Sequence, residues 1–315
     1  GVILALAGLD RLWQDPDGQH SLAGAMHSLR WQVLPLSECP AAPGQAALAI
    51  ECRRDDRRTA GLLSALHDEA TQRLVDREYR AARGQADGFA ATAVDAGDLG
   101  ELLFTRDAAG QRDLHWQQPP RPAQARPWDG GAWSSTQRRR SLSLPPLDAD
   151  ALFIAHWYAL PDSLPQSTQQ RIWVSGTRSW RELASRGYWV EGCADNLGFD
   201  AIRPTLQTSV LVLPPLANWA ALTRRGAEDS WSGSGIGRVL ASYAGDDEPR
   251  VDTGALREAT HFFWGSAAQY RALASQVPPD AEHACGSGKT AAALRAGGIE
   301  PSVFPNRKAW REWLG

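Results

Sequence analysis

The second half of the chain repeats one order of elements, and this repeat constrains the fold more than any other feature. An apolar strand, a turn, a helix, a glycine stop and a further strand run from 171 to 190. The same order returns between 260 and 304. Strands joined by helices in this way form parallel sheets. We therefore predict an α/β fold with two parallel lobes, at about 149–237 and 244–315, with further strands at 151–156, 210–213 and 238–243.

The sequence pattern of residues 1–112 predicts a small α+β domain. A helix end at 2–13 and a buried strand at 46–52 precede a helix or helix pair at 56–83, which Thr59 could cap. Two segments, 101–105 and 113–116, flank a turn that ends in Gly110, and this arrangement is typical of a hairpin.

Residues 113–148 have the composition of a linker. Proline, glycine and serine are frequent there, and no hydrophobic period is visible. The basic run at 138–140 is interpreted as a solvated part of this linker, because short charge runs usually face water.

Composition excludes several classes of function. Lys and Arg number 33 against 36 Asp and Glu, and a net charge of −3 disfavours a nucleic-acid binder. No apolar run approaches the roughly 20 residues that span a bilayer, so we expect no membrane partner. The four cysteines are far apart, which favours a reducing, cytoplasmic location. Because the chain begins with Gly1, we expect it to be part of a longer protein.

The turns at the helix starts of the two lobes are the predicted binding elements. Free backbone N–H groups and the helix dipole at such positions attract anions, and two facing lobes could hold a multiply charged one. Capping alone is the alternative for each hydroxyl residue. The candidate substrate-binding residues are Gly176, Thr177, Ser179, Gly265, Ser266, Gly286, Ser287, Lys289 and Thr290.

Other motifs carry little chemistry. The string GSGKT at 286–290 lacks the first glycine of a phosphate-binding P-loop, since His283 stands at that position. The seven histidines show no paired metal-ligand spacing, so we predict no metal. Trp310 and Trp313 are predicted to form the docking face of the last helix.

The first 112 residues resemble the late part of hydroxymethylbilane synthase, also called porphobilinogen deaminase. The resemblance rests on CPAAPGQAALAIECRRDD at 39–56, LLSALHDEAT at 62–71 and the hairpin that follows. It implies a dipyrromethane primer tethered through a cysteine in a Gly-Gly-Cys loop. The equivalent stretch here is ARGQADGFAAT at 82–92, where Asp87 or its neighbour replaces the cysteine. We therefore expect no cofactor and no polymerisation of porphobilinogen by this chain alone.

Residues 149–315 resemble uroporphyrinogen-III synthase. The resemblance rests on four strings: IWVSGTRSWRELASRGYWVEG at 172–192, RVLASYAG at 238–245, ATHFFWGSAAQYRAL at 259–273 and ACGSGKTAAALRAGGIEPSVF at 284–304. It implies that Tyr243 is the active-site tyrosine, and that the turns hold the carboxylates of hydroxymethylbilane. The usual opening strand of that family, with Thr-Arg, is not found.

Together the two resemblances indicate a fusion in tetrapyrrole (porphyrin and haem) biosynthesis. The leading hypothesis is cyclisation of hydroxymethylbilane to uroporphyrinogen III, with ring-D inversion and loss of water. A second hypothesis is a fragment of a bifunctional protein whose named activity is the deaminase, with an upstream deaminase part as partner. A third is a tetrapyrrole-binding scaffold without turnover.

Overall fold

The computed structural model of the protein describes residues 1–45, 47–130, 139–166, 169–245 and 253–315. They form two compact units: the larger combines Gly1–Val33 with Pro122–Gly315, and the smaller is Leu34–Arg121. This division differs from the predicted bounds of 1–112, 113–148 and 149–315, because the first helices and part of the predicted linker join the larger unit. Arg138, the first residue of the basic run, lies outside the described residues.

Helices and strands are numbered in chain order. The helices are α1 Leu6–Gln14, α2 Pro16–Ser28, α3 Arg57–Leu63, α4 Glu69–Ala82, α5 Thr177–Ser185, α6 Phe199–Leu206, α7 Thr253–Glu258, α8 Ala267–Leu273, α9 Lys289–Ala296 and α10 Arg307–Leu314. The strands are β1 Ala90–Asp95, β2 Glu101–Arg106, β3 Arg112–Trp116, β4 Pro127–Trp128, β5 Arg139–Ser141, β6 Ala151–Ile154, β7 Arg171–Val174, β8 Gly192–Cys193, β9 Trp219–Arg224, β10 Arg238–Gly245, β11 His261–Trp264, β12 Glu282–Cys285 and β13 Ser302–Val303.

The smaller unit is an antiparallel sheet of order β1-β2-β3 with α4 packed against it. The predicted hairpin is confirmed as β2 and β3, paired from Leu102 opposite Trp116 to Arg106 opposite Arg112. Glu78 of α4 is buried and accepts hydrogen bonds from the backbone N–H of Gly44 at 2.7 Å and of Ala93 at 2.8 Å. This carboxylate therefore joins the loop before α3 to the sheet.

Two predictions in the smaller unit are wrong. Residues 47–52 form no strand, Ala46 lies outside the described residues, and the side chains of Leu48 and Ile50 are exposed. A strand needs a partner for its backbone groups, and this segment belongs to no sheet among the described residues. The cap of α3 is Asp56, whose side chain accepts from the Thr59 N–H at 2.9 Å, so Thr59 is the donor.

The first lobe is a sheet of order β5-β10-β9-β6-β7-β8, parallel except where β5 meets β10. Alternate side chains of its central strands face two separate cores, because successive residues of a strand point to opposite sides. One core contains Leu152 and Ile154 with Leu183 of α5. The other contains Phe153 and Trp173 with residues of α6. Apolar side chains on both faces are typical of a sheet covered by helices on both sides.

The first two helices of the chain cover one face of this sheet. Leu9 and Trp13 of α1 and Met26 of α2 pack against the core that contains Trp173. The segment after α2 continues along the sheet, where Val33 donates its N–H to the Glu191 carbonyl at 2.6 Å. The first 33 residues thus form part of the first lobe's packing.

The second lobe is a smaller parallel sheet of order β13-β12-β11-β4. Its core contains Phe262 and Trp264 with residues of α8 and α9. Trp310 and Trp313 of α10 are buried, as their spacing predicts. The two parallel sheets confirm the predicted α/β class.

Three strand predictions of the lobes need correction. The predicted strand at 210–213 is a 3-10 turn, Ser209–Leu211, and the true strand is β9. Pro214 and Pro215 follow this turn and restrict the residues before them. The strand placed at 188–190 instead forms at Gly192–Cys193. The strand at 151–156 ends at Ile154, and a 3-10 turn, Trp157–Ala159, follows.

Candidate functional site

The carboxyl ends of four parallel strands lie along one edge of the first lobe. β7, β6, β9 and β10 are neighbours in that order, so the residues that follow them come together at this edge. Ligands of parallel α/β sheets bind at such edges. We call this region the first-lobe edge. It is formed by His156 to Tyr158 after β6, Gly176 and Thr177 after β7, Arg224 at the end of β9, and Tyr243 in β10.

Tyr243 lies at an irregular point of β10. The register against β9 shifts between Ala241 and Tyr243, and on its other side Tyr243 pairs with Ser141 of β5. The phenol ring is half-buried, with its centroid 6.4 Å from that of Tyr158. Burial raises the pKa of Tyr243, while Arg224 and Arg139 act in the opposite direction. The hydroxyl therefore keeps its proton at neutral pH and can donate a hydrogen bond.

An aromatic and basic cluster beside Tyr243 was missed by sequence reasoning. The Arg139 guanidinium lies 3.7 Å from the centroid of the Tyr158 ring, and the His156 ring stacks on Tyr158 at 4.4 Å. Burial, together with Arg139 and Arg178, lowers the pKa of His156 to about 4. The imidazole is therefore neutral at physiological pH. The available signals were the basic run at 139–140 and the string HWY after an apolar strand.

The start of α5 has free backbone donors. Gly176 is the N-cap residue, and it makes no side-chain capping bond within the described structure. A Cβ on Gly176 would overlap the side-chain oxygen of Asn196, so the Asn196 side chain would have to move to admit any larger residue. Thr177 is half-buried at the first helical position. The first amides of α5 are thus available to an anion.

The hydroxyl of Ser179 is used in a structural hydrogen bond. Ser179 is buried, and its Oγ accepts a hydrogen bond from the Trp157 backbone N–H at 3.1 Å. This bond holds the turn that carries Tyr158 against α5. Ser179 is therefore placed to position the first-lobe edge.

The turn at Gly265 and Ser266 in the second lobe is closed by its own residues. Ser266 Oγ accepts from the Gln269 N–H at 3.2 Å, which is an ordinary helix cap. The Gly265 N–H donates to Gln269 Oε1 at 2.8 Å, and Gln269 is buried. These two predicted binding residues thus already use the groups that would meet an anion.

The turn before α9 is open. Gly286 lies in this turn and Gly288 is the N-cap residue; a left-handed φ of 83° explains the glycine at 288, and no side chain of the described structure caps the helix. Ser287 Oγ is buried and has no hydrogen-bond partner among the described residues. Thr290 is half-buried in the first turn. A buried hydroxyl without a partner is rare in proteins, and it marks a place where a ligand could bind.

Lys289 joins the two lobes. Its Nζ lies 3.1 Å from the ring centroid of Trp231, a buried residue of the first lobe that packs edge-on against Phe153 and Phe199. Burial lowers the pKa of Lys289 to about 7, and the nearby Asp200 opposes this shift. The start of α9 therefore faces the first lobe, with its lysine partly charged at neutral pH.

Neither a metal-binding group nor a cysteine in the primer loop is found among the described residues. No group of three or more His, Cys, Asp or Glu side chains is placed to hold a metal ion within the part of the chain that the structure describes. Asp87 lies exposed in the loop between α4 and β1, where the resemblance would require a cysteine. Each helix of the described part of the chain is too short or too polar to cross a bilayer.

Thus the chain has, after a helical segment and a small α+β unit in the sequence, a parallel α/β region with a tyrosine-bearing, basic edge. Residues 1–61 match the family model described as porphobilinogen deaminase, dipyromethane cofactor binding domain. Porphobilinogen deaminase of Geobacillus kaustophilus is 40% identical over 88 residues, which cover 28% of this chain and 24% of that protein. The deaminase of Limosilactobacillus reuteri is 34% identical over 106 residues, 33% of this chain and 31% of that protein. These matches confirm the resemblance predicted for the N-terminal part.

The chain spans less than a third of the length of these deaminase relatives. Two solved structures are also similar to it. Uroporphyrinogen-III synthetase from Helicobacter pylori is 15% identical and covers 56% of this chain and 88% of its own, with a TM-score of 0.35. Uroporphyrinogen III synthase of Thermus thermophilus is 13% identical and covers 63% of this chain and 87% of its own, with a TM-score of 0.30.

Proposed function

We propose that the two lobes catalyse the cyclisation of hydroxymethylbilane to uroporphyrinogen III. The proposal rests chiefly on Tyr243, which keeps its proton and lies near the carboxyl end of β10, opposite Arg224 of β9. It draws further support from the four strings that resemble the synthase family and from the two open helix starts, at α5 and α9. The product is a tetrapyrrole of haem biosynthesis.

The reaction that the resemblance implies needs conformational control more than a strong acid or base. Loss of the substrate's hydroxyl leaves a cationic azafulvene, and attack through the substituted ring-D carbon gives a spiro intermediate. Fragmentation and reclosure then invert ring D. The hydroxyl of Tyr243 would donate a hydrogen bond to the departing hydroxyl group, which takes up one proton from solvent and leaves as water. The final ring closure releases one proton to solvent when the new pyrrole becomes neutral, so no net proton is consumed. The remaining task is to hold a flexible chain in one reactive shape.

The substrate carries eight carboxylates, so binding groups for anions are the main requirement. The amides at the start of α5 follow Gly176, and those at the start of α9 follow Gly288. Because Lys289 contacts Trp231 across the lobes, the α9 start lies where it could share a polyanion with the first lobe. Gly265 and Ser266 are left out of this set, since Gln269 already binds their turn.

The test is to supply fresh hydroxymethylbilane and to separate the product isomers by chromatography. We expect faster ring closure than in buffer and an excess of the III isomer. Tyr243→Phe should reduce turnover about tenfold or more, because loss of one hydrogen bond to the departing group costs about 1.4 kcal/mol. Tyr79→Phe, the same change at an exposed tyrosine of α4, is the matched control. Binding of the substrate without acceleration would select the scaffold hypothesis instead.

We propose further that this chain does not polymerise porphobilinogen. A stable thioether to the primer requires a sulfur atom, and the loop at 82–92 contains none. Purified protein should therefore show no covalent dipyrromethane by mass spectrometry and should not consume porphobilinogen. An adduct together with turnover would contradict this and would favour the bifunctional hypothesis.

A further inference from the structure

Three arginines lie at the first-lobe edge: Arg139 on β5, Arg178 in the first turn of α5 and Arg224 at the end of β9. Arg139 stacks on the ring of Tyr158, and Arg139 and Arg178 both disfavour a proton on the adjacent His156. Arg224, at the end of β9, and Arg139 both act to lower the pKa of Tyr243, against the effect of burial. Arg139 thus lies against Tyr158, and Arg224 is the register partner of Tyr243 on the neighbouring strand.

These arginines have no acidic partner among the described residues. Other arginines of the same unit do: Arg186 pairs with Asp162, and Arg203 with Asp200. Like charges that converge without counter-charge repel one another, and the repulsion is relieved when an anion binds between them. A guanidinium also offers a planar pair of donors that suits a carboxylate.

Arg139 is held in place, which distinguishes it from a freely solvated side chain. The antiparallel pairing of β5 with β10 sets Gly245 opposite Arg139, and the Tyr158 ring contacts its guanidinium at 3.7 Å. Tyr158 is in turn fixed by its stacking on His156, whose Nδ1 accepts from the Tyr158 N–H at 3.4 Å. Tyr158 is thus a positioning residue for Arg139.

We propose that Arg139, Arg178 and Arg224 form a carboxylate-binding subsite at the first-lobe edge, beside Tyr158. Its ligand is a carboxylate side chain of the pyrrole ring that lies nearest Tyr243. That assignment of the ligand rests on the proposed function, whereas the affinity of the subsite for carboxylates does not. The basic run of the predicted linker thereby gains a role, because Arg139 belongs to it.

The chain offers a matched control in the next residue. Arg140 carries the same charge on the same strand, and successive side chains of a strand point to opposite faces. Arg139→Gln and Arg140→Gln therefore remove equal charge from opposite sides of β5. Arg139→Lys keeps the charge but removes the planar pair of donors. Thermal unfolding of each variant checks that the lobe remains folded.

The experiment measures binding of two unreactive probes, uroporphyrin III and benzene-1,2,4,5-tetracarboxylate, by calorimetry. Loss of one charge-assisted pair should weaken both about tenfold in Arg139→Gln, with Arg140→Gln within about twofold of the parent. The affinity of Arg139→Lys for both probes should lie between those of Arg139→Gln and Arg140→Gln. Inorganic pyrophosphate is a third probe; binding as tight as that of the tetracarboxylate would overturn the preference for carboxylates.

Equal weakening by Arg139→Gln and Arg140→Gln would overturn the subsite, since it would indicate only a general charge effect. No weakening in either variant would overturn it too. If the parent protein binds the probes through Arg139 but does not accelerate ring closure, the proposed function fails and the subsite stands. If the parent accelerates ring closure and Arg139→Gln leaves its KM unchanged, the subsite fails and the function stands.

Discussion

The two lobes begin helices with similar turns, but the hydrogen-bonding groups of these turns have different partners. In the second lobe, Ser266 caps α8 and Gln269 takes the Gly265 N–H, so the turn is complete in itself. In the first lobe, Gly176 leaves the start of α5 open and Ser179 bonds to a neighbouring turn. The comparison teaches that a glycine–hydroxyl pair at a helix start predicts an anion site only when no nearby side chain satisfies its donors.

The largest expected effect concerns His156 at the first-lobe edge. Its pKa is about 4 in the folded protein and near 6.5 when unfolded, so between these values the unfolded state binds more protons. Stability should therefore fall as pH decreases from 6.5 to 4, by about 3 kcal/mol at most. Urea unfolding at a series of pH values measures this.

His156→Gln should flatten that acid-side slope, whatever it does to stability at pH 7. His20→Gln, at an exposed position of α2, serves as the control and should leave the slope as in the parent. An unchanged slope in His156→Gln would show that protonation of His156 does not cause the loss of stability at low pH.

The next effect compares a crowded glycine with an open one. Gly176→Ala would place a methyl group on the Asn196 side chain, whereas a methyl group at Gly286 meets nothing within 4 Å. We expect Gly176→Ala to lose about 2 kcal/mol of unfolding free energy, the usual cost of overpacking. Gly286→Ala should stay within about 0.5 kcal/mol of the parent. Denaturant titration would contradict the comparison if the two variants were equally stable.

A smaller difference is expected between the two serines. Ser266→Ala removes a helix cap and should cost about 1 kcal/mol. Ser287→Ala removes a buried hydroxyl that has no partner among the described residues, so stability should be unchanged or slightly higher. Binding of benzene-1,2,4,5-tetracarboxylate should show the reverse order, with weakening only in Ser287→Ala. Weakening in Ser266→Ala alone would show that the capped turn is the binding one.

The smallest effect concerns Lys289. Because burial lowers its pKa to about 7, the charged fraction rises as pH falls from 8 to 6. Affinity for the tetracarboxylate should rise in the same direction by a few-fold, and Lys289→Gln should lose this dependence. Lys308→Gln, at an exposed position of α10, is the control. A pH dependence that survives in Lys289→Gln would exclude the lysine as its source.

Much of the fold follows from local sequence pattern. The strand at Arg171–Val174, the hairpin of β2 and β3 and the buried face of α10 appear as expected, because apolar period and turn residues are local properties. The strand predicted at 46–52 does not form at residues 47–52, because a strand needs a hydrogen-bonding partner that local pattern cannot supply. β9 was not predicted because it is buried on both faces, so its sequence lacks the alternation of apolar and polar residues that identifies many strands.

The sequence by itself determined the kinds of element in the lobes, the turns that start their helices, and the loop without a cysteine at Asp87. Only the tertiary structure decided which turns remain open, that Arg139 stacks on Tyr158, and that Lys289 meets Trp231. It also decided that α1 and α2 cover the first lobe's sheet. The physical reason is that periodicity and turn chemistry act over a few residues. Hydrogen-bond satisfaction and charge balance depend on neighbours that are distant in the chain.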